Sequence, residues 1–334
     1  MEITMLNKIL RINKSIHLVF LIFSLGLCNY VFANEPWPVK PISMTIPFPP
    51  GGVATMVGRP VVEGMNKVLE KPIVMESRPG AGGAIGNAYV AKAMPDGYNV
   101  LFAMSSVSTI PETDKIAGKL VSYTTSQLRP IGRITSDPVV MVVRADSPWK
   151  TIQEFVADAR KKPGKFNYSS SGNYGTMQLP MEMLKADQKI FMVHIPYTGA
   201  GPAVLAVLAG DVETTASGPS TVVQHIKGGK LRALAHSGEG RLAVLPDVPS
   251  FKELGMAVEY NQWTGLFLPK ATPEPIVKSY RDALRAAVDD NLVKTALNNS
   301  GSPIAYLDEP EFQVFWDKDI AKMNEVVKRI GKLD

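Results

Sequence analysis

The chain has 334 residues, 45% hydrophobic and 20% charged, with a formal net charge of +5 and one cysteine. That composition is ordinary for a globular protein and too apolar for a disordered one. The length allows one large domain or two of about 150 residues, either able to bury a core without staples. The mild positive charge needs no nucleic acid or membrane surface to explain it.

Residues 1–33 read as a secretory signal peptide. Lys8, Arg11 and Lys14 form a positive n-region, residues 16–27 an apolar run, and Val31, Phe32 and Ala33 a cleavage pattern that places the cut after Ala33. The run is about a dozen residues, short of the ~20 a spanning helix needs. Leu27 is too bulky for a lipobox, so lipidation of Cys28 is not expected. Cleavage lowers the formal charge to +3 and removes the sole cysteine. A cysteine-free exported chain with a large core fits a bacterial periplasm.

Strand-like and helix-like segments then alternate. Residues 42–48 read as a strand, and Val61, Val62, Met65, Val68 and Leu69 recur at helical spacing. Residues 73–76 form a second strand, 83–94 a small-residue helix and 99–104 a third strand. This βαβαβ order predicts a parallel sheet with helices on both faces. Residues 138–144 (PVVMVVR) are continuously apolar, as in a strand buried on both faces. Thr151 and Glu154 form a capping box that opens a helix to about Lys161.

A second series follows, with strands at 165–169, 191–196, 212–216 and 231–236, and a further strand at 261–268. The rest reads as helix. Thr272 and Pro273 suit a cap and first helical position, and Ile276, Val277, Tyr280, Leu284 and Val288 form a stripe. Phe312, Phe315, Trp316, Ile320, Met323, Val327 and Ile330 form the last amphipathic face. The helical tail has no sheet of its own and is expected to pack on the first sheet. The chain would then cross between lobes near 134–144 and near 243–265, leaving a hinged cleft where a ligand binds. The expected division is a first lobe of residues 34–133 plus 243–334 and a second of 134–242.

Three glycine-rich turns each join a strand to a helix, at 48–52 (FPPGG), 78–83 (RPGAGG) and 169–176 (SSSGNYGT). A helix N-terminus presents free N–H groups and partial positive charge. Glycine lets a ligand approach the backbone closely, so such turns bind anions without a cationic side chain. No turn ends in Gly-Lys-Ser/Thr, so none is a Walker loop. Gly80, Gly82 and Ala84 come near the dinucleotide fingerprint, but no acidic partner stands out.

Several of these segments resemble the receptors of tripartite tricarboxylate transporters, the Bug-type family. They are 37–42 (WPVKPI) leading to 46–52 (IPFPPGG), 76–86 (ESRPGAGGAIG), 95–98 (PDGY), 194–199 (HIPYTG), 225–235 (HIKGGKLRALA) and 245–249 (LPDVP). They occur in the family's order and span essentially the whole mature chain.

The resemblance implies a two-lobed Venus flytrap of the type II periplasmic-binding-protein class, each lobe a mainly parallel sheet flanked by helices, with two crossovers. It implies a ligand carboxylate held at Pro50, Gly51, Gly52, Ala81, Gly82 and Gly83. Ser171, Asn173 and Thr176, with Tyr197, Thr198, Gly199 and Ala200 and with Ser217 and Ser220, would line the other side. Ser105 and Ser106 would face the same cleft. Thr55 stands where many members of the family carry an acid, which points to ligands without a free amine, such as di- or tricarboxylates or aromatic acids. Residues 104–110 also depart from the family's usual run.

The implied function is a monomeric periplasmic receptor that passes its ligand to membrane permease subunits, with no cofactor, metal or nucleic acid. Two other readings are a sensor for a signalling ectodomain and an enzyme on the same fold. The enzyme needs a convergent nucleophile, base or metal. His194, His225 and His236 show no metal-ligand spacing, and residues 169–171 are no Gly-x-Ser-x-Gly elbow. His194 reads as a packed, hydrogen-bonded strand residue.

Overall fold

Strands β1 (Ile42–Ile46), β2 (Ile73–Ser77) and β3 (Asn99–Met104) run parallel, with β1 in the middle. Helices α1 (Val53–Met65) and α2 (Ala84–Ala91) make the returns between them. Side chains alternate along β3. Leu101 and Ala103 enter a core with α2, while Phe102 faces α1 at Gly58, where a Cβ would sit 3.5 Å from its ring. The computed structural model describes residues 37–332, so the signal segment, its cleavage site and Cys28 lie outside the described residues.

After α3 (Ile110–Ile116) comes β4 (Leu128–Pro138), and one residue later β5 (Val140–Arg144) begins in a different sheet. The second sheet continues with α4 (Ile152–Lys161), β6 (Asn167–Ser170), α5 (Gln178–Gln188), β7 (Val193–Pro196), α6 (Ala200–Ala209), β8 (Thr214–Ser217), α7 (Pro219–Lys227) and β9 (Leu231–His236). The chain then returns as β10 (Asn261–Pro269), α8 (Glu274–Asp289), α9 (Asn291–Ser300), β11 (Ile304–Asp308) and α10 (Glu309–Ile330).

The first sheet has the order β11-β4-β10-β3-β1-β2 and the second β7-β6-β8-β5-β9. In each sheet the strand that enters from the other, β10 or β5, sits inside and runs antiparallel to its neighbours. The lobes are therefore α/β with most strands in one direction, but the pairing is mixed. The continuously apolar β5 divides its side chains between two cores. Val139, Met141 and Val143 pack with α4 and α5, and Val140 and Val142 with α6 and α7.

Several local expectations differ from what forms. β4 and β11 read as irregular or helical in sequence yet pair as strands. β4 carries Pro130 in its interior, and a bulge there leaves Ile131 unpaired between Gly132 and Pro130 opposite Leu266 and Phe267. The Thr151 hydroxyl accepts from Glu154 N at 3.2 Å, but the Glu154 carboxylate reaches Lys150 N rather than closing the box. Thr272 does not cap α8. Its hydroxyl donates to Pro269 O at 2.8 Å, and Pro273 occupies the cap position.

The tail helix also reaches further than the first sheet. Phe312 and Trp316 lie in the first lobe's core, whereas Met323 and Val327 are buried with α4, α5 and β5 of the second.

Asp137 ends β4 at the crossing and is 1% exposed, with no hydrogen bond of normal geometry to either oxygen among the described residues. Burial pushes its carboxyl up from 3.8 to about 7, against a smaller pull from the Ser302 and Thr135 hydroxyls. Below pH 3.8 the folded and unfolded forms are both protonated. As pH rises the unfolded chain releases its proton first, so stability falls from about pH 4 to about pH 7 and then levels. Asp137→Asn is expected to melt several degrees above wild type at pH 8 and close to it at pH 4. Equal displacement at both pH values would remove the buried carboxyl as the cause.

Candidate functional site

The helices that start beside the crossings share an unusual beginning. α1, α2, α6 and α7 are preceded by Gly52, Gly83, Gly199 and Gly218, none has a side-chain cap, and none has an acid in its first turn. Outer helices do the opposite. α4 and α9 are capped by Thr151 and Asp290, and α8 and α10 carry Glu274, Glu309 and Glu311 in their first turns. The inner set therefore keeps its orphan N–H groups and partial positive charge free of acidic side chains.

These ends converge across the lobes. A Cβ on Gly52 would lie 3.6 Å from Ala200 Cβ, and one on Gly218 2.8 Å from Val53 Cγ2. On the other flank, a Cβ on Gly82 would lie 3.1 Å from Asn173 O, and one on Gly172 3.1 Å from Gly82 Cα. Thr109 Oγ1 donates to Tyr174 O across the same seam at 3.4 Å. Gly82 and Gly83 have φ of +64° and +108°. The second value in particular is open to glycine and strained for other residues. The turn is thus a backbone surface with no side chain to block it.

An outer cleft of about 420 Å³ lies on this flank. Ala81, Gly82 and Gly83 line it from one lobe, and Ser171, Asn173, Tyr197 and Thr198 from the other, and its charged lining is Asp114, Lys119 and Lys332. A small inner pocket of about 10 Å³ is lined by Gly52, Ser171, Thr176 and Ala200. Pro50, Gly51, Thr55, Ser105, Ser106, Gly199, Ser217 and Ser220 are not among the residues that line either space.

Pro50 and Gly51 are exposed on their turn. Thr55 Oγ1 accepts from Gly51 N at 3.0 Å and donates to Gly52 O at 2.9 Å, which ties the turn to α1. Ser106 Oγ donates to Gly82 O at 3.1 Å and props the second turn from behind. Ser105 Oγ meets Tyr260 OH at 3.0 Å. Gly199 packs on Pro49, with 2.6 Å from its would-be Cβ to Pro49 Cγ. Ser217 Oγ pairs with Thr221 Oγ1 at 2.7 Å. Ser220 is buried with its hydroxyl unpaired among the described residues.

The loop after β6 is held by a polar chain centred on His194. Tyr174 N donates to Gln178 Oε1, which turns Gln178 Nε2 toward His194 Nδ1 at 3.0 Å. Nδ1 must then be the acceptor, so Nε2 carries the proton and donates to Ser170 Oγ at 2.6 Å. Burial lowers His194 to about 4, which keeps it neutral in this role. The ring also stacks on Tyr168 with centroids 4.9 Å apart.

Sequence reasoning passed over Phe48, Met104, Met177 and Gln262, which line the inner pocket. Gln262 is one of three polar residues, with Asn261 and Thr264, at the head of β10, so the pattern alone does not single it out.

Residues 57–332 match the tripartite tricarboxylate transporter family receptor. The chain is 32% identical over 297 residues to the UPF0065 protein of the gbd 5' region of Cupriavidus necator, covering 89% of each. It superposes on the periplasmic binding protein BugD with a TM-score of 0.83, at 29% identity over 88% of this chain and 98% of that one. It also superposes on MatC from Rhodopseudomonas palustris with bound malate, with a TM-score of 0.80 at 28% identity, over 87% of this chain and 99% of that one. The chain therefore belongs to the tripartite tricarboxylate transporter receptor family, among relatives that include the Bug proteins.

Proposed function

We propose that the protein is a periplasmic receptor that captures a small carboxylate by closing its two lobes and delivers it to the membrane permease subunits of a tripartite tricarboxylate-type transporter. The observation that carries this reading is the set of glycine-capped, acid-free helix starts converging on one cleft. Their N–H groups and dipoles stabilise an anion where no cationic side chain is buried. Lys119 and Lys332 outnumber the one acid that lines the cleft, Asp114, and the net positive field favours anion entry.

The receptor works as a monomer after removal of residues 1–33. Residues 34–138 with 261–334 act as one lobe and 139–260 as the other, because β4 belongs to the first sheet through Pro138 and Leu245 to Tyr260 pack in the cores of the second. A ligand that touches both lobes favours the closed state by its differential affinity. MatC with bound malate supports a small carboxylate as the class of ligand. Thr55 spends its hydroxyl inside its own turn and supplies no counter-charge for an ammonium, so ligands without a free amine are preferred. No catalytic step is assigned, because the one well-placed histidine is committed to holding a loop.

A thermal-shift and calorimetry panel tests the class. At 100 times its dissociation constant a true ligand stabilises the fold by about 2.7 kcal/mol without turnover. Di- and tricarboxylates or aromatic acids should outrank aspartate and glutamate. An amino acid as tightest ligand would overturn the amine-free reading.

Gly82→Val places a side chain at φ +64° against Asn173 O. It should reduce affinity at least tenfold while circular dichroism stays native. Normal binding by this variant would move the site elsewhere.

His194→Ala tests the loop. His194 contributes a loss of stability as pH falls from 6.5 to about 4, because the unfolded histidine takes a proton that the folded one refuses; Asp137 contributes a gain over the same window, so the histidine is read as the change in wild type relative to the variant. The variant should gain stability relative to wild type across that window and bind more weakly at pH 7. Unchanged binding would separate His194 from the site.

A further inference from the structure

Gln262 is 1% exposed, and neither its Oε1 nor its Nε2 has a hydrogen-bond partner among the described residues. Ser171 Oγ is likewise unpaired at 5% exposure. Both line the same inner pocket, one from each lobe. Buried polar groups are ordinarily paired, and leaving three such atoms unpaired in one place is costly. The room that the Gln262 side chain itself occupies is left by a glycine. Gly218 has an ordinary φ of −62°, so its glycine is not needed for conformation. A Cβ there would lie 1.9 Å from Gln262 Nε2.

We propose that Gln262, with Ser171, is the specificity-determining contact for the inner end of the ligand, and that it selects a hydroxyl group over a second carboxylate. This rests on the carboxylate-receptor reading and names a class within it: hydroxy acids with one carboxylate at the glycine turns.

Three features of the pocket set the choice. Its volume of about 10 Å³ is close to the room of a single water molecule. A hydroxyl oxygen is of that size, and a carboxylate is three heavy atoms. No charged side chain lines the pocket, so a carboxylate finds no counter-charge there, and the one acid nearby in register, Asp137 opposite Gln262, offers it none. Finally, Gln262 offers both a donor and an acceptor. A hydroxyl donates to Oε1 while accepting from Nε2 or from Ser171 Oγ. A carboxylate has no proton to give, so Oε1 would stay unpaired and face an anion. A methylene would leave all three atoms unpaired.

The test is calorimetry on the purified protein with butyrate, succinate and the hydroxybutyrates, extended to their longer analogues. At least one hydroxy acid should bind about tenfold or more tightly than both the dicarboxylate and the plain acid of the same length. In Gln262→Leu that ratio should fall to about threefold or less, while the melting temperature holds or rises because two unpaired buried atoms are removed. Gly218→Ala, which crowds Nε2, should lower the same ratio and serves if the leucine variant fails to fold.

A dicarboxylate that binds as tightly as every hydroxy acid would overturn the proposal and leave the carboxylate-receptor reading standing. So would a hydroxyl preference that survives in both variants. Failure of every acid in this panel would overturn the inference alone if a tricarboxylate or aromatic acid binds, and would remove the receptor reading with it if those fail too.

Discussion

Each lobe takes one interior strand from the chain's passage through the other, and that constraint organises the molecule. β10 enters the first sheet between β3 and β4, and β5 enters the second between β8 and β9. Both run against their neighbours, so both begin where the parallel strands end. The carboxyl ends of β1, β2 and β3 are thereby turned toward those of β6, β7 and β8. Ligands of open α/β sheets bind at those ends. Here two such edges face each other, which is why the helix starts of α1, α6 and α7 meet.

That geometry explains the chemistry of the cleft. A buried arginine or lysine would need to be desolvated each time the lobes close, at a cost that its attraction to the ligand must first offset. Helix-terminal N–H groups are already fixed in place and carry only partial charge. They hold an anion with little reorganisation, and they need glycine or no side chain at the contact. The net positive charge that remains is on Lys119 and Lys332 against Asp114. Water and salt screen it there, so it acts on approach more than on the bound state.

Much of this was legible in the sequence because local signals agreed with the fold. The turns at Gly51 and Gly82 carry their own chemistry, and β3 and β5 follow from unbroken apolar runs at 100–104 and 139–143. The elements that were missed owe their state to partners. β4 has two prolines and a glycine, and it is a strand because β10 and β11 flank it. β11 is a five-residue edge that exists only beside β4. Gln262 was hidden for a related reason. The glycine-rich turns follow parallel strands, whereas this residue lies at the start of an antiparallel one. Its register opposite Asp137 fixes that position, and register is not visible in a single strand. Ser105 and Ser106 were read as cleft-facing from their place after β3. In the fold their hydroxyls serve Tyr260 and Gly82.

The tail helix restricts how such a cleft opens. α10 is anchored in the first lobe by Phe312 and Trp316 and in the second by Met323 and Val327. Exposing either of the latter pair would forfeit about 1.5–3 kcal/mol of apolar burial. An opening that stripped the helix from one lobe would therefore compete poorly with one that turns about it. Beyond the helix, Tyr174 OH donates to Gly331 O at 3.0 Å, which ties the loop after β6 to the end of α10. A rotation that preserves these contacts keeps that side of the cleft together. It concentrates the change at Val139, between the two sheets, and in the return to β10. The carboxyl of Asp137 and the amide of Gln262 sit at those two places as cross-strand partners. The residues nearest the turning point thus include two whose side-chain polar atoms have no partner among the described residues.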